Sequence, residues 1–187
     1  MNNGKNIVIK YSFIRKIALI YITLPLLCFF IGWLKIYFAI PAVIALIICL
    51  AFSYIKNKED SEDSISVSKW FIFFLTLISF FYCFLCGIGR LWAQSKDYPW
   101  RNAIFRDIIL RDWPVKYPKY DGALVYYIGL WLPPSILGKI SIFFGANNEG
   151  AFTVGNIALL IYSALGISIL FAFGDRLCDK WFARIAY

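Results

Sequence analysis

The residues best suited to chemistry lie in one segment, 87–122, between two long apolar runs. Its cations are Arg90, Lys96, Arg101, Arg106, Arg111, Lys116 and Lys119, and its acids are Asp97, Asp107, Asp112 and Asp121. Tryptophan and tyrosine side chains are interleaved with these charges. Guanidinium groups match phosphate oxygens in a forked geometry, and carboxylates serve as general bases. The segment is therefore typical of a site that handles phosphate at a membrane surface.

The rest of the chain narrows the available chemistry. It contains no histidine, so the commonest general base and metal ligand is absent. Cys83 and Cys86 have the spacing of a redox motif, but they lie in an apolar run without an adjacent cation, which favours a packing role. Any catalysis would have to use carboxylates, and any metal ion would need oxygen ligands.

Composition indicates a membrane protein. Of 187 residues, 61% are hydrophobic and 16% are charged, against about 25% charged residues in a soluble domain. The net charge of +8 would suit nucleic acid, but the basic residues flank apolar spans. Anionic lipid head groups or phosphates are the partners that this arrangement favours, and nucleic acid is excluded.

Hydropathy predicts an all-α integral membrane protein with about five transmembrane helices. The predicted spans are 17–33, 36–55, 69–88, 123–144 and 151–173. Residues 1–55 hold a basic tail and a helical hairpin that turns at Lys35, 56–68 form a mobile polar linker, and 69–187 form a membrane unit ending in an amphipathic stretch, 175–187. No small-residue cleavage site follows the first span, so it is interpreted as retained rather than as a signal peptide.

The loop 89–122 is predicted to contain a short amphipathic helix. Asp97 and Pro99 favour a helix start, and Trp113-Pro114 favours its end. Between them the apolar side chains on one face are Ile104, Phe105, Ile108 and Ile109. Two interpretations remain open: an interfacial helix whose arginines meet lipid phosphates, or a loop that handles a substrate.

Two features inside the spans also carry expectations. Pro133-Pro134 lies near the centre of the predicted fourth span and removes two backbone donors, so that span is either kinked or re-entrant; a kinked span is favoured. Asn156, near the start of the fifth span, is expected to make an interhelical hydrogen bond rather than to bind a ligand.

Charge gives conflicting indications about orientation. The cations before the first span favour a cytoplasmic N-terminus, which in a cell membrane with five spans places loop 89–122 outside. The seven cations of segment 87–122 favour the opposite. Because the first helix usually dominates, we expect an extracytoplasmic loop.

A pattern of motifs in this region resembles a known group. The order GxGR, DYPWRNAIFRDII, RDWPVKYP and ALVYYIGLWLPPSILGK over residues 87–139 resembles the N-terminal part of uncharacterised bacterial polytopic membrane proteins. Those proteins are similar to GT-C-type glycosyltransferases, which use a polyprenyl-linked sugar donor. The resemblance implies a role in cell-surface glycan assembly, with an acidic residue in an extracytoplasmic loop.

Residue by residue, the resemblance implies Asp97 as general base or as ligand to a divalent ion, with Asp107 as second candidate. Arg101 and Arg106 would pair with the lipid-linked phosphate, and Arg90 and Arg111 would add phosphate or head-group contacts. No protein metal centre is predicted. Structural roles compete with both acids: Asp97 could favour a helix start, and Asp107 could form an i,i+4 ion pair with Arg111.

The chain departs from that class in span number, since such enzymes have roughly twice as many spans. It is therefore expected to be a fragment or one piece of a split protein, joined to other membrane helices and inactive alone. The alternative function is a non-catalytic membrane subunit or scaffold that binds lipid head groups or a partner membrane protein. A transporter is disfavoured, because no ionisable residue lies deep within the first three spans or the fifth.

Overall fold

The computed structural model describes residues 6–56 and 64–185, which form a helical protein. The described residues contain six α-helices: α1 Tyr11–Trp33, α2 Ile36–Lys56, α3 Lys69–Leu85, α4 Tyr98–Leu110, α5 Leu132–Phe143 and α6 Asn148–Ile185. Four short strands accompany them: β1 Asn6–Lys10, β2 Ser64–Ser68, β3 Lys116–Tyr117 and β4 Gly122–Ala123. The all-α class predicted from the sequence is confirmed, with the strands as small additions.

Three of these helices are long and apolar enough to cross a membrane. They are α1, the Ile36–Ile55 part of α2 and the Asn148–Phe173 part of α6. Helix α3 is apolar but has only 17 residues, which span about 26 Å at 1.5 Å per residue. Membrane insertion is therefore supported, while the finer count of five spans is not confirmed.

The first two spans form the predicted hairpin. Helix α1 ends at Trp33, α2 begins at Ile36, and the Lys35 carbonyl accepts hydrogen bonds from the backbone N–H groups of Phe38 and Ala39. None of the most apolar stretch of α2 is buried. In a membrane, the exposed side chains of this stretch would contact lipid or another protein.

The segment preceding α3 differs from the sequence-based expectation. The linker 56–68 was predicted to be a mobile connector, yet its last five residues form β2, which pairs antiparallel with β1. Ile7 lies opposite Val67 in this ladder, and β-branched residues of that kind favour strands. Residues 57–63 of the linker lie outside the described part. The pairing places the starts of α1 and α3 at the same end of the molecule.

The predicted fourth span, 123–144, is not formed as one continuous helix, and it is not confirmed as a span. Residues 122–131 form β4, an irregular stretch and a 3-10 turn, and α5 begins only at Leu132. Pro133 and Pro134 lie in the first turn of α5 because a helix start needs no N–H donor from them. Twelve residues rise about 18 Å, which is too short to cross a hydrocarbon core of about 30 Å.

The predicted fifth span, 151–173, lies within the single helix α6. This helix runs antiparallel to α3, since Gly89 just after α3 meets Asn156 and Leu160 in the first half of α6. Cys83, Leu160 and Ala164 form a buried cluster along that contact, where Cys83 acts as a small packing residue. The predicted amphipathic end, 175–187, belongs to α6 as far as Ile185. The side chains of this end lie outside the described part of the chain.

The main core lies where the loop meets α5 and α6. The helix predicted in the loop is confirmed as α4, with Asp97 at its N-cap, Pro99 in its first turn and Arg111 at its C-cap. Its predicted apolar face is also confirmed, because Phe105, Ile108 and Ile109 are buried. That face packs against α5 and α6 rather than facing lipid, because Leu132 and Phe152 belong to the same cluster. The apolar face of α4 is therefore covered by protein, and a position at the membrane interface with its arginines at lipid phosphates stays a prediction.

Candidate functional site

A polar cavity of about 130 Å³ lies between α4, the turn after α3, the 3-10 turn before α5 and α6. Its lining residues are Ile88, Gly89, Gln94, Tyr98, Arg101, Asn102, Phe105, Leu130, Trp131, Asn156, Leu159 and Ser163. Apolar walls with a few polar groups are typical of small-molecule sites. Because it opens beside the loop, this cavity is the best candidate for a functional site.

The wall nearest the turn after α3 is held by a chain of hydrogen bonds. Gln94 Nε2 donates to the Gly87 carbonyl at 2.6 Å, and Asn102 Nδ2 donates to Gln94 Oε1 at 2.8 Å. Tyr98 Oη donates to the Cys86 carbonyl at 2.5 Å. The turn itself needs glycine, since Gly87 has a φ of +79° and an added Cβ would lie 2.9 Å from a backbone oxygen. These contacts fix the first half of α4 against the end of α3.

Arg101 is the cation of this cavity. Its Cζ lies 5.7 Å from the Tyr98 ring centroid, and no carboxylate pairs with it within residues 6–56 and 64–185. Burial raises the pKa of Tyr98, and the Arg101 charge opposes that rise. The pKa of Tyr126 is raised because its hydroxyl is hydrogen-bonded to Tyr127, and Arg101 again acts in the opposite direction. The Arg101 side chain is hydrogen-bonded to the Tyr126 hydroxyl and lies by the Tyr98 ring, and its charge is not neutralised by a carboxylate of the described residues, which favours an anionic ligand.

The floor of the cavity is formed by two neutral polar residues of α6. Asn156 is 4% exposed and Ser163 is 8% exposed. Asn156 Nδ2 donates to the Phe152 carbonyl within the same helix, at 2.8 Å. The expected interhelical bond from Asn156 is therefore not formed by this group. Ser163 Oγ is buried and has no hydrogen-bond partner in the part of the chain that the structure describes.

The two predicted catalytic carboxylates do not meet. Asp97 is the N-cap of α4, is exposed and makes no side-chain capping bond. Asp107 lies ten residues later on the same helix, a rise of about 15 Å. A pair of acids acting on one substrate atom is therefore not formed by these residues, and each role stays a separate prediction.

Asp107 takes part in a local network instead. Its Oδ1 accepts from Arg111 Nε at 3.0 Å, and its Oδ2 accepts from Tyr117 Oη at 2.7 Å. Burial and the bond to this carboxylate raise the pKa of Tyr117 to about 12. The i,i+4 ion pair given as the structural alternative is therefore present, and Lys139 Nζ adds a bond to the Arg111 carbonyl.

The other predicted phosphate-binding arginines are dispersed. Arg90 and Arg106 both approach the Phe152 ring, with Cζ atoms 5.0 and 6.0 Å from its centroid. Arg106 also pairs with Glu149 at 2.9 Å, which joins α4 to the start of α6. Arg111 belongs to the Asp107 network at the opposite end of α4. The four arginines therefore form no single patch, and Arg101 is the one that lines the cavity.

The residues near Asp97 do not fit a divalent cation. Such ions take several oxygen ligands, commonly with more than one carboxylate. Within the described residues no group of three or more histidine, cysteine, aspartate or glutamate side chains is arranged to hold a metal ion. Lys96 precedes Asp97, and Asp107 is about 15 Å away along the helix.

A second cavity, of about 500 Å³, lies between α1, α3 and α6. Its lining is almost entirely apolar and includes Phe13, Ile17, Leu75, Leu165 and Ile169. Tyr162 lines this cavity and Ser163 lines the first one, so consecutive residues of α6 border the two cavities, which share no lining residue. Sequence analysis did not predict this cavity, because a groove between spans leaves no recognisable pattern of residues in the sequence.

Sequence analysis also missed the polar lining of the first cavity. Ser163 resembled the other small residues of its span, which suit close helix contact. Gln94 and Asn102 are uncharged and eight positions apart, and their contact depends on the glycine turn that follows α3. A signal for Asn156 existed, as a buried amide in an apolar run, but it also fits a packing role.

Comparison of the chain with protein-family models, with curated proteins and with solved structures finds no match. The likeness to GT-C-type enzymes stays a prediction.

Proposed function

We propose that this membrane protein binds the phosphate of a lipid-linked head group at the mouth of the polar cavity, as part of a GT-C-like glycosyltransferase that uses a polyprenyl-linked sugar donor. The observation that carries the proposal is Arg101. It lines the cavity without a carboxylate partner among the described residues, whereas Arg106 and Arg111 each pair with an acid. A forked donor at a partly enclosed site suits a phosphate better than a diffuse surface charge does.

Asp97 supplies the acid–base part of this proposal. It lies four residues before Arg101, so the two project from the same face of the start of α4. In the transfer, the acceptor hydroxyl gives its proton to the Asp97 carboxylate, and the acceptor oxygen forms a bond to the sugar carbon. The bond between that carbon and the phosphate oxygen breaks, and the lipid phosphate leaves as an anion held by Arg101.

The apolar cavity supports a lipid ligand. With its phosphate at Arg101, a lipid would extend its hydrocarbon chain out of the mouth of the polar cavity, and the apolar cavity between the spans is a groove that suits such a chain. Hydrocarbon is the natural occupant of an apolar groove within spans, because the surrounding solvent is lipid.

A binding experiment tests the proposal. The full chain is placed in phosphatidylcholine nanodiscs, and retention of radiolabelled polyprenyl phosphate is measured. Arg101→Gln is expected to weaken binding about tenfold, the size of one charge-assisted hydrogen bond. Lys119→Gln removes the same charge from a residue that contacts the Tyr120 ring outside the cavity, and is the matched control. Equal binding by wild type and Arg101→Gln contradicts the proposal.

Asp97→Asn separates binding from chemistry. It is expected to leave polyprenyl-phosphate binding within twofold of wild type, because the carboxylate is not a phosphate ligand. In membranes where the wild-type chain supports sugar transfer, it is expected to abolish that transfer. Transfer that persists at the wild-type rate removes Asp97 from the mechanism.

The second candidate is a non-catalytic membrane subunit. It is favoured by the separation of Asp97 from Asp107 and by the exposed apolar stretch of α2, which a partner's helices could cover. Two results together would favour a non-catalytic subunit. Lipid-phosphate binding would depend on Arg101, and sugar transfer would not depend on Asp97.

A further inference from the structure

Ser163 differs from the other buried serines of the described residues. Ser79 and Ser135 each donate to a carbonyl of their own helix, at 2.8 and 2.7 Å. Ser168, on the same helix as Ser163, donates to the Ala164 carbonyl at 2.9 Å. Ser163 Oγ is buried without such a bond, and the residue lines the polar cavity. Buried hydroxyls are normally hydrogen-bonded, and none of the described residues bonds to this one, so it is open to a ligand in the cavity.

Asn156 provides a second group to the same partner. It lies seven residues before Ser163, two helical turns apart on one face of α6. Its Nδ2 is taken by Phe152, while no hydrogen bond to its Oδ1 is formed among the described residues. The floor therefore offers a hydroxyl, which donates and accepts, and an amide oxygen, which accepts. That pair suits a ligand with hydroxyl groups.

The remaining walls limit the ligand further. No charged residue lies at the floor, and Arg101 at the mouth disfavours a cation. Phe105 and Trp131 form an aromatic wall, with ring centroids 6.2 Å apart, that suits the C–H face of a saturated ring. A cavity of about 130 Å³ has room for more than the few waters that a lone serine would bind.

We propose that Ser163 and Asn156 hold the hydroxyls of a neutral sugar ring whose phosphate is bound by Arg101. This inference rests on the proposed function and adds the positions that recognise the sugar. Both residues are positioning residues, since neither reaches the reacting bond between sugar and phosphate at the cavity mouth.

The test compares two lipids in the same nanodiscs: polyprenyl phosphate, and polyprenyl phosphate carrying one hexose. Ser163→Ala is expected to weaken binding of the sugar-bearing lipid about three- to tenfold, as expected for one hydrogen bond, and to leave the sugar-free lipid unchanged. Thr153→Ala removes an exposed hydroxyl of the same helix that lines neither cavity, and should affect neither lipid. Arg101→Gln should weaken both.

Thermal stability without ligand provides the folding control. Ser163→Ala loses no hydrogen bond of the empty protein, so its melting temperature should equal or exceed that of wild type. Unchanged binding of the sugar-bearing lipid, or equal loss for both lipids, would overturn the inference and leave the proposed function standing. If wild type binds neither lipid, the proposed function itself fails and the inference falls with it.

Discussion

Tyr21 and Tyr162 exchange hydrogen bonds between two spans. Tyr21 Oη donates to the Tyr162 carbonyl at 3.2 Å, and Tyr162 Oη donates to the Tyr21 carbonyl at 2.9 Å. Their rings stack with centroids 4.4 Å apart. The close approach also depends on Gly166, where an added Cβ would lie 2.3 Å from Tyr21 Oη. The pair therefore joins α1 to α6 near the middle of both helices, where the apolar cavity begins.

Removing either hydroxyl should loosen this junction. Tyr162→Phe and Tyr21→Phe are each expected to lower the free energy of unfolding by about 1 kcal/mol, since interhelical bonds in membranes have modest net strength. Because each bond uses the partner's backbone, the two changes should be close to additive, with the shared stack retained. Stability is measured by thermal denaturation in detergent. Tyr82→Phe, at an exposed position of α3, is the control, and an equal loss there would contradict the assignment.

Gly32 is the second point where a missing side chain permits contact. A Cβ at this position would lie 2.3 Å from Trp113 Cε3, and the Trp113 ring lies 5.1 Å from that of Trp33. Trp113 Nε1 also donates to the Ile108 carbonyl, so this ring holds the end of α4 against α1.

Gly32→Ala is expected to destabilise the protein by about 1–3 kcal/mol, because the rigid indole must move. Gly122→Ala is the matched control, since a Cβ there meets its nearest atom at an ordinary 3.6 Å. Tryptophan fluorescence and the denaturation midpoint measure the effect. A Gly32→Ala protein with the wild-type midpoint and emission would show that Trp113 does not occupy this position.

Local patterns gave the elements of the fold more reliably than the contacts between them. Helix α4 could be predicted because Asp97, Pro99 and Pro114 mark its ends and its apolar residues recur at helical spacing. The hairpin at Lys35 followed from two apolar runs with almost no linker. Strand β2 was missed because its five residues adjoin a charged stretch, and its pairing with β1 joins segments far apart in the chain.

The candidate site was predicted in part. Arg101 was named from its loop position, while its separation from the other arginines depends on which acids lie nearby in space. The start of α5 was predicted too early, because the apolar run 123–144 is long enough to span a membrane. The prolines mark a helix start rather than a kink, and that difference is decided by the packing of Leu132 into the core. That the Ser163 hydroxyl lacks a hydrogen-bond partner among the described residues could not be predicted from the sequence, because it depends on how the helices pack.

The hydrogen bond between Asp107 and Tyr117 predicts how stability changes at alkaline pH. The pKa of Tyr117 is raised from 10.0 to about 12 by burial and by this carboxylate. A raised folded-state pKa means that the contribution to stability is complete below pH 10 and is lost as pH rises from about 10 to about 12. Asp107→Asn should lower the pKa of Tyr117 toward 10. The change removes the negative charge beside the Tyr117 hydroxyl and replaces the carboxylate that accepts its hydrogen bond by an amide.

Ultraviolet absorbance of tyrosinate, compared between wild type and Tyr117→Phe, isolates this group from the other tyrosines. The same comparison is then made in the Asp107→Asn background. A Tyr117 titration that does not shift between the two backgrounds would show that the bond is absent in solution.

Orientation in the membrane can be tested at the two ends of the molecule. The starts of α1 and α3 lie at the paired strands β1 and β2, and the loop with α4 lies at the other ends of these helices, beside Trp33. Ser64 and Tyr120 should therefore lie on opposite sides of the bilayer, with Tyr120 outside if the first helix sets the orientation. Helix α3 is somewhat short for this path, which local thinning of the bilayer can accommodate.

The reporters are Ser64→Cys and Tyr120→Cys, each in a chain whose five native cysteines are replaced by alanine. A membrane-impermeant maleimide applied to intact cells is expected to label Tyr120→Cys and to spare Ser64→Cys until the cells are opened. Tyr120 is 76% exposed, so access to the reagent is not limiting. Labelling of Ser64→Cys alone would reverse the orientation while keeping the crossing. Labelling of both from the same side would contradict a membrane path for α3, because the two positions lie at opposite ends of that helix.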